Sequence, residues 1–158
     1  MAPPPTDDDR DESEDERLDR NWDELLQELR ITQTGLQLLS GFLLTLPFTQ
    51  VFGDLDGGQQ ALYLGLVVVA GVAVGLNMTP VMLHRRVFRE HAKDRVVTVG
   101  HVVAQVVIAA IAVLVVGMAT LIFSVVLSWA AGIAVAVFLA IVLGALLGVV
   151  PWRLDPRR

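Results

Sequence analysis

The chain has 158 residues, 54% of them hydrophobic, with a mean hydropathy of +0.59 and a formal net charge of -5. A soluble domain of this length has no interior large enough for so much apolar surface, so a nucleic-acid binder, a secreted disulfide scaffold and a soluble enzyme all fit poorly. Twelve of the seventeen acids lie in the first 30 residues, whereas residues 31–158 carry five acids and eight Lys/Arg, the pattern of an acidic head on a membrane-embedded body. The absence of cysteine excludes disulfides, thiolate metal sites and cysteine nucleophiles.

Residues 1–17 contain three prolines and eight acids and almost nothing apolar, so the segment is expected to be a disordered acidic tail. It lacks the basic start and apolar stretch of a cleavable signal peptide, so the first hydrophobic segment is expected to act as an uncleaved anchor. In residues 18–30, Leu18, Trp22, Leu25, Leu26 and Leu29 fall on one helical face. Asp19, Arg20, Asp23, Glu24, Gln27 and Glu28 fill the other, predicting an acidic amphipathic helix. Four spans follow, at about 31–52, 61–83, 102–123 and 130–150, each long enough as a helix to cross a hydrocarbon core of about 30 Å. The stretch 102–150 has no charged residue and is too long for one helix, and Ser124–Trp129 is the best place for a tight hairpin. The apolar runs are continuous rather than alternating, and open sheet edges cannot face lipid, so the expected fold is all-α, a four-transmembrane-helix bundle. A short basic tail, 153–158, closes the chain.

The segment 53–60 and the hairpin near 124–129 hold no Lys or Arg. All twelve basic residues lie in the N-terminal region, in the second loop (Arg85, Arg86, Arg89, Lys93, Arg95) and at the C-terminus (Arg153, Arg157, Arg158). The positive-inside rule then puts both termini in the cytoplasm of a cell whose inner membrane holds the bundle. Phe48, Phe52, Tyr63, Phe123 and Trp129 gather at the outer interface as an aromatic belt, with Trp152 and Phe88 at the inner one.

No Asp, Glu, Lys, Arg or His lies in the central part of a span, which argues against an ion-coupled transporter working alone. The first span carries Gln33, Thr34, Gln37, Ser40, Gly41 and Thr45, of which Gln33, Gln37 and Ser40 form one stripe. That stripe reads either as the lining of a solute path or as interhelical hydrogen bonding. The fourth span has Gly132, Ala136, Ala140, Gly144 and Gly148 at four-residue spacing, and the second has Gly71 and Gly75. Such rows let backbones approach closely, within the bundle or across a homo-oligomer or partner interface. His84, His91 and His101 sit in the second loop with Glu90 and Asp94, in no metal-binding spacing, so no metal or other cofactor is expected. The acidic helix would be repelled by anionic lipid. Its face Leu18/Trp22/Leu25/Leu29 is expected to dock over the bundle with its acids toward Arg85, Arg86, Arg89, Lys93 and Arg95, or else onto a partner protein. No nucleophile elbow, phosphate loop or catalytic triad appears, so the chain reads as a non-enzyme whose partners are the bilayer and other membrane proteins, not nucleic acid.

Through Leu25–Phe48, Leu83-His84-Arg85, Phe88-Arg89 and Ala92–Arg95, the chain resembles the small actinobacterial integral-membrane proteins grouped as a domain of unknown function. The resemblance covers roughly Arg17 to Phe123 and implies four helices with a polar start to the first span. Some members carry a sodium:proton antiporter label. The expected function is that of a self-associating accessory or scaffold protein; a small transporter or channel assembled from several copies, lined by Gln33, Gln37, Ser40 and Thr45, is the alternative, and a lipid-modifying enzyme centred on His84 and His91 a third.

Overall fold

The computed structural model describes residues 14–87 and 93–149, and their regular structure is entirely helical. Helix α1 is Glu14–Thr45, α2 is Gly57–Val87, α3 is Lys93–Val126 and α4 is Trp129–Gly144, which continues into a π-helical turn, Ala145–Val149. Two 3-10 turns, Leu46–Phe48 and Gln50–Asp54, join α1 to α2. Helices α1, α2 and α3 each pack against the other two, whereas the backbone of α4 runs beside α3 alone. The direction alternates from helix to helix.

The segments expected as a separate amphipathic helix, 18–30, and a first span, 31–52, are one unbroken helix as far as Thr45. The reason lies in the leucines. Leu25, Leu29, Leu36 and Leu43 are buried, with Thr32, Leu39 and Leu46 partly so, and the steps between them alternate four and three without a pause at residue 30. That spacing holds one face toward the bundle over the whole length, and no glycine or proline interrupts it near the expected boundary. Glu14–Arg17, expected to be disordered, are the first turn of this helix; residues 1–13 lie outside the described residues.

The helix stops at Thr45, short of 52, because Pro47 has no N–H to return to the Leu43 carbonyl four residues back. The Tyr63 hydroxyl of α2 donates to that carbonyl instead, at 3.0 Å. Tyr63 also meets Phe52 edge-on, with ring centroids 5.2 Å apart. The core continues from there through Leu36, Leu43, Leu66, Ala70, Ala73, Leu114 and Leu121.

Among the described residues, three helical stretches are long and apolar enough to cross a membrane: Gly57–Pro80, Val99–Val126 and Trp129–Gly148. They correspond to the expected second, third and fourth spans. The expected first span is not one of them, since α1 ends early and Gln33, Thr34, Gln37 and Ser40 dilute its apolar character. The expected hairpin is narrower than 124–129. Helix α3 runs on to Val126, and Ser128 caps α4 by accepting from the Ala131 N–H at 3.3 Å.

The small-residue row of α4 does not face one neighbour. A four-residue step turns about 40° past a full helical revolution, so such a row winds around the helix. Gly132 faces α3, where an added Cβ would lie 2.8 Å from the Thr120 carbonyl oxygen; Ala136 is half-buried; Ala140, Gly144 and Gly148 are exposed, the last two with open space around them. Gly132→Ala is therefore expected to push α4 away from α3 and lower the thermal unfolding midpoint in detergent by several degrees, whereas Gly144→Ala should leave it unchanged.

Candidate functional site

Polar side chains gather at two levels of the bundle. At the end where α1 turns into α2, Asp56 is the residue before α2, and its Oδ1 accepts the Gln59 N–H at 2.9 Å. The Gln59 Oε1 accepts the Asp56 N–H at 3.0 Å in return, a reciprocal cap on the first turn of α2. The other carboxylate oxygen, Oδ2, accepts the indole N–H of Trp129 at 2.8 Å, so the first residue of α4 is tied to the first turn of α2. The indole lies over Gly58, where a Cβ would come within 2.9 Å of its Cζ2, and this close approach is what requires glycine there. Gln59 is buried and its Nε2 lies 3.4 Å from the Ser124 Oγ, which itself donates to the Leu121 carbonyl at 2.8 Å. The Gln59 backbone N–H, then the Trp129 indole and the Gly58 N–H, hold the Asp56 carboxyl below its ordinary range, against a smaller upward push from desolvation.

Toward the opposite end, Asn77 of α2 is buried. Its Nδ2 donates to the Leu29 carbonyl at 3.5 Å, and its Oδ1 lies 3.3 Å from the Thr32 hydroxyl, which is also 2.9 Å from Leu29 O. Leu25 is buried against Gly100 of α3, where a Cβ would lie 2.5 Å from its Cδ2. These contacts fix the level of α1 against both neighbours.

The polar stripe of α1 has no such partners. Gln33 and Gln37 are exposed and make no side-chain hydrogen bond among the described residues. Thr34 and Thr45, also exposed, return their hydroxyls to Arg30 O and Phe42 O of their own helix. Ser40 lies at the edge of the buried face, its Oγ enclosed without a hydrogen-bond partner. Apart from Ser40, the stripe thus faces outward from a single chain. Gly71 and Gly75 of α2 are likewise exposed with open space above them.

Of the expected docking residues, Leu25 and Leu29 are buried along α1 itself, while Asp23, Glu24, Gln27 and Glu28 are exposed. The side chains of Leu18, Trp22, Arg85, Arg86, Lys93 and Arg95, and the whole of Arg89, lie outside the described residues, as do the side chain of His84 and all of His91. His101 is exposed on α3, and no group of three metal-ligating side chains occurs among the described residues. A recess of about 170 Å³ opens between the ends of α1 and α3, walled by apolar side chains including Phe42, Leu46, Met118, Leu121 and Val125.

Sequence reading gave Tyr63 and Trp129 only as members of an aromatic belt and did not single out Asp56 or Gln59. The signal was present: Asp56-x-x-Gln59 ahead of an apolar run is the spacing of a reciprocal helix cap.

The model of a family of unknown function, DUF6328, matches residues 11–151. No curated protein matches the chain. No solved structure does either.

The Asp56–Trp129 tie makes a pH prediction. A carboxyl held below its ordinary value stabilises the fold fully above that value and loses the contribution as pH falls through the lower folded one. With Trp22 and Trp152 replaced by Phe, Trp129 emission should stay constant from neutral pH down to the ordinary Asp value of 3.8 and shift to the red only below it. Asp56→Asn should flatten that acid transition.

Proposed function

We propose that this chain, which belongs to the DUF6328 family, is a multi-pass protein of the bacterial plasma membrane that acts through association, as a scaffold or accessory of other membrane proteins, rather than by catalysis. In this reading α1 is the fourth crossing. It lies antiparallel to α2 over the stretch from Asn77 to Tyr63, so its less apolar sequence is carried through the bilayer by its neighbours. The concentration of Arg and Lys in the N-terminal region, the second loop and the tail favours cytoplasmic termini.

The observation that carries the proposal is the state of α4. Only 6% of its membrane-length stretch is buried inside the chain, and the glycines at its far end, Gly144 and Gly148, open onto empty space. Helices in lipid associate through close backbone packing at small residues, and a helix with so little intramolecular cover has most of that capacity left for neighbours.

A second reading, a pore or transporter assembled from several copies, is favoured by the exposed amides Gln33 and Gln37 on α1. In such an assembly Gln33, Gln37, Ser40 and Thr45 would line the route, and the sodium:proton antiporter label of the resembling proteins would fit sodium or protons as the solute. Proteoliposomes separate the two. The scaffold reading predicts no sodium or proton flux above empty vesicles, together with an oligomer or a defined membrane-protein partner that co-purifies from native membranes. Flux that disappears in Gln37→Leu would replace it with the pore.

A further inference from the structure

Helix α1 carries a second stripe opposite its leucines. Gln27, Arg30, Thr34, Gln37, Gly41 and Leu44 follow one another at alternating steps of three and four, and all six are exposed. A repeat averaging 3.5 residues keeps a seam turned toward one partner helix, which is how two helices pair along their length.

Depth gives this seam its meaning. The stretch Gly57–Pro80 of α2 has its midpoint at about residues 68 and 69. Starting from the Thr32–Asn77 contact, an equal rise along α1 reaches about Ser40 and Gly41. The stretch Val99–Val126 of α3 has its midpoint at about residues 112 and 113, and counting from the Leu25–Gly100 contact reaches about Gln37 and Leu38. Both registers put Gln37 close to the middle of the apolar layer. An amide there has no water to bond, and Gln37 has no partner among the described residues. A partner has to come from outside the described residues.

We infer that the partner is the same residue of a second copy, so that α1 is the self-association helix and the two Gln37 amides bond to each other across a two-fold axis. This rests on the reading that the chain associates, and it names the surface. A primary amide is both donor and acceptor, so one residue type satisfies both sides of an isologous contact. Two copies inserted in the same sense bring their α1 helices together parallel, with Gln37 at equal depth. Gly41, one turn further on, has open space above it and lets the backbones close. Toward its water-exposed end the seam continues through Arg30 to Asp23; in the parallel pair each faces its own copy, and these like charges lie where water and salt screen them. An apolar helix of another protein would leave the amide unpaired.

The chain contains no cysteine, so each introduced one is a unique reporter. Full-length protein is reconstituted in phosphatidylethanolamine–phosphatidylglycerol vesicles and oxidised. Thr34→Cys and Leu44→Cys should cross-link between copies, and Val68→Cys, exposed on α2, should not. Energy transfer between labelled copies, followed as lipid is added, should show a dimer weakened about three- to thirty-fold in Gln37→Leu. Unchanged association in Gln37→Leu, with cross-links at Val68→Cys, would overturn the seam and leave self-association standing. An absence of energy transfer at every protein density would overturn both.

Discussion

Polar groups within an apolar bundle must find their partners in the protein, because water is not at hand to supply them. Short hydroxyls solve this on their own helix: Thr34, Thr45, Thr79, Thr120 and Ser124 each donate to a carbonyl three or four residues back. Such residues can therefore sit in an apolar helix at little cost. Longer groups reach across. Tyr63 serves the carbonyl that Pro47 leaves without a donor, Asn77 meets Thr32 and Leu29, and Gln59 bridges toward Ser124. These few bonds have direction where the leucine packing has none, and so they set the level of α1 on α2. The same accounting leaves over the enclosed Ser40 hydroxyl and the exposed amides of Gln33 and Gln37, and the outward face of α1 acquires its significance from the two amides.

The attachment of α4 follows a different logic. Its start is held at three points: the Ser128 cap, the Gly132 approach to Thr120 and the bond from the Trp129 indole to Asp56. Beyond them it packs along one neighbour only. A helix fixed firmly at one end and covered on one side keeps its position while leaving most of its surface to surrounding lipid or to other proteins.

Much of this was legible in the sequence. Uninterrupted apolar runs mark the stretches of α2, α3 and α4, and the need to break a charge-free stretch of that length places the hairpin at 124–129, the interval that contains Leu127–Ser128. The continuity of α1 is hidden by a change in composition at residue 30, from charged to apolar, which has the character of a boundary. The leucine spacing that crosses it is what the backbone follows. The spacing of the glycine and alanine row of α4 shows where backbones can approach but not that the row turns away from α3 along its length, because a four-residue period drifts around a helix of 3.6 residues per turn. Pairings such as Tyr63 with Leu43, or Trp129 with Asp56, join residues distant in the chain and depend on register, which hydropathy does not encode. The capping spacing of Asp56 and Gln59 is the one local clue to that end of the bundle.

The account turns on α1 crossing the bilayer beside α2 and α3 although it is the least apolar of the four helices. Glu24, within α1, and Asp54, in the turn that follows it, are both exposed and lie on either side of its apolar stretch. The decisive measurement is labelling of Glu24→Cys and Asp54→Cys, each the sole cysteine in the chain, with a membrane-impermeant maleimide applied to one side of sealed vesicles of uniform orientation. Reaction of one variant and protection of the other, reversed when the opposite side is treated, is the predicted result. Reaction of both from the same side would contradict it, leaving α1 on the membrane surface and the bundle with three crossings.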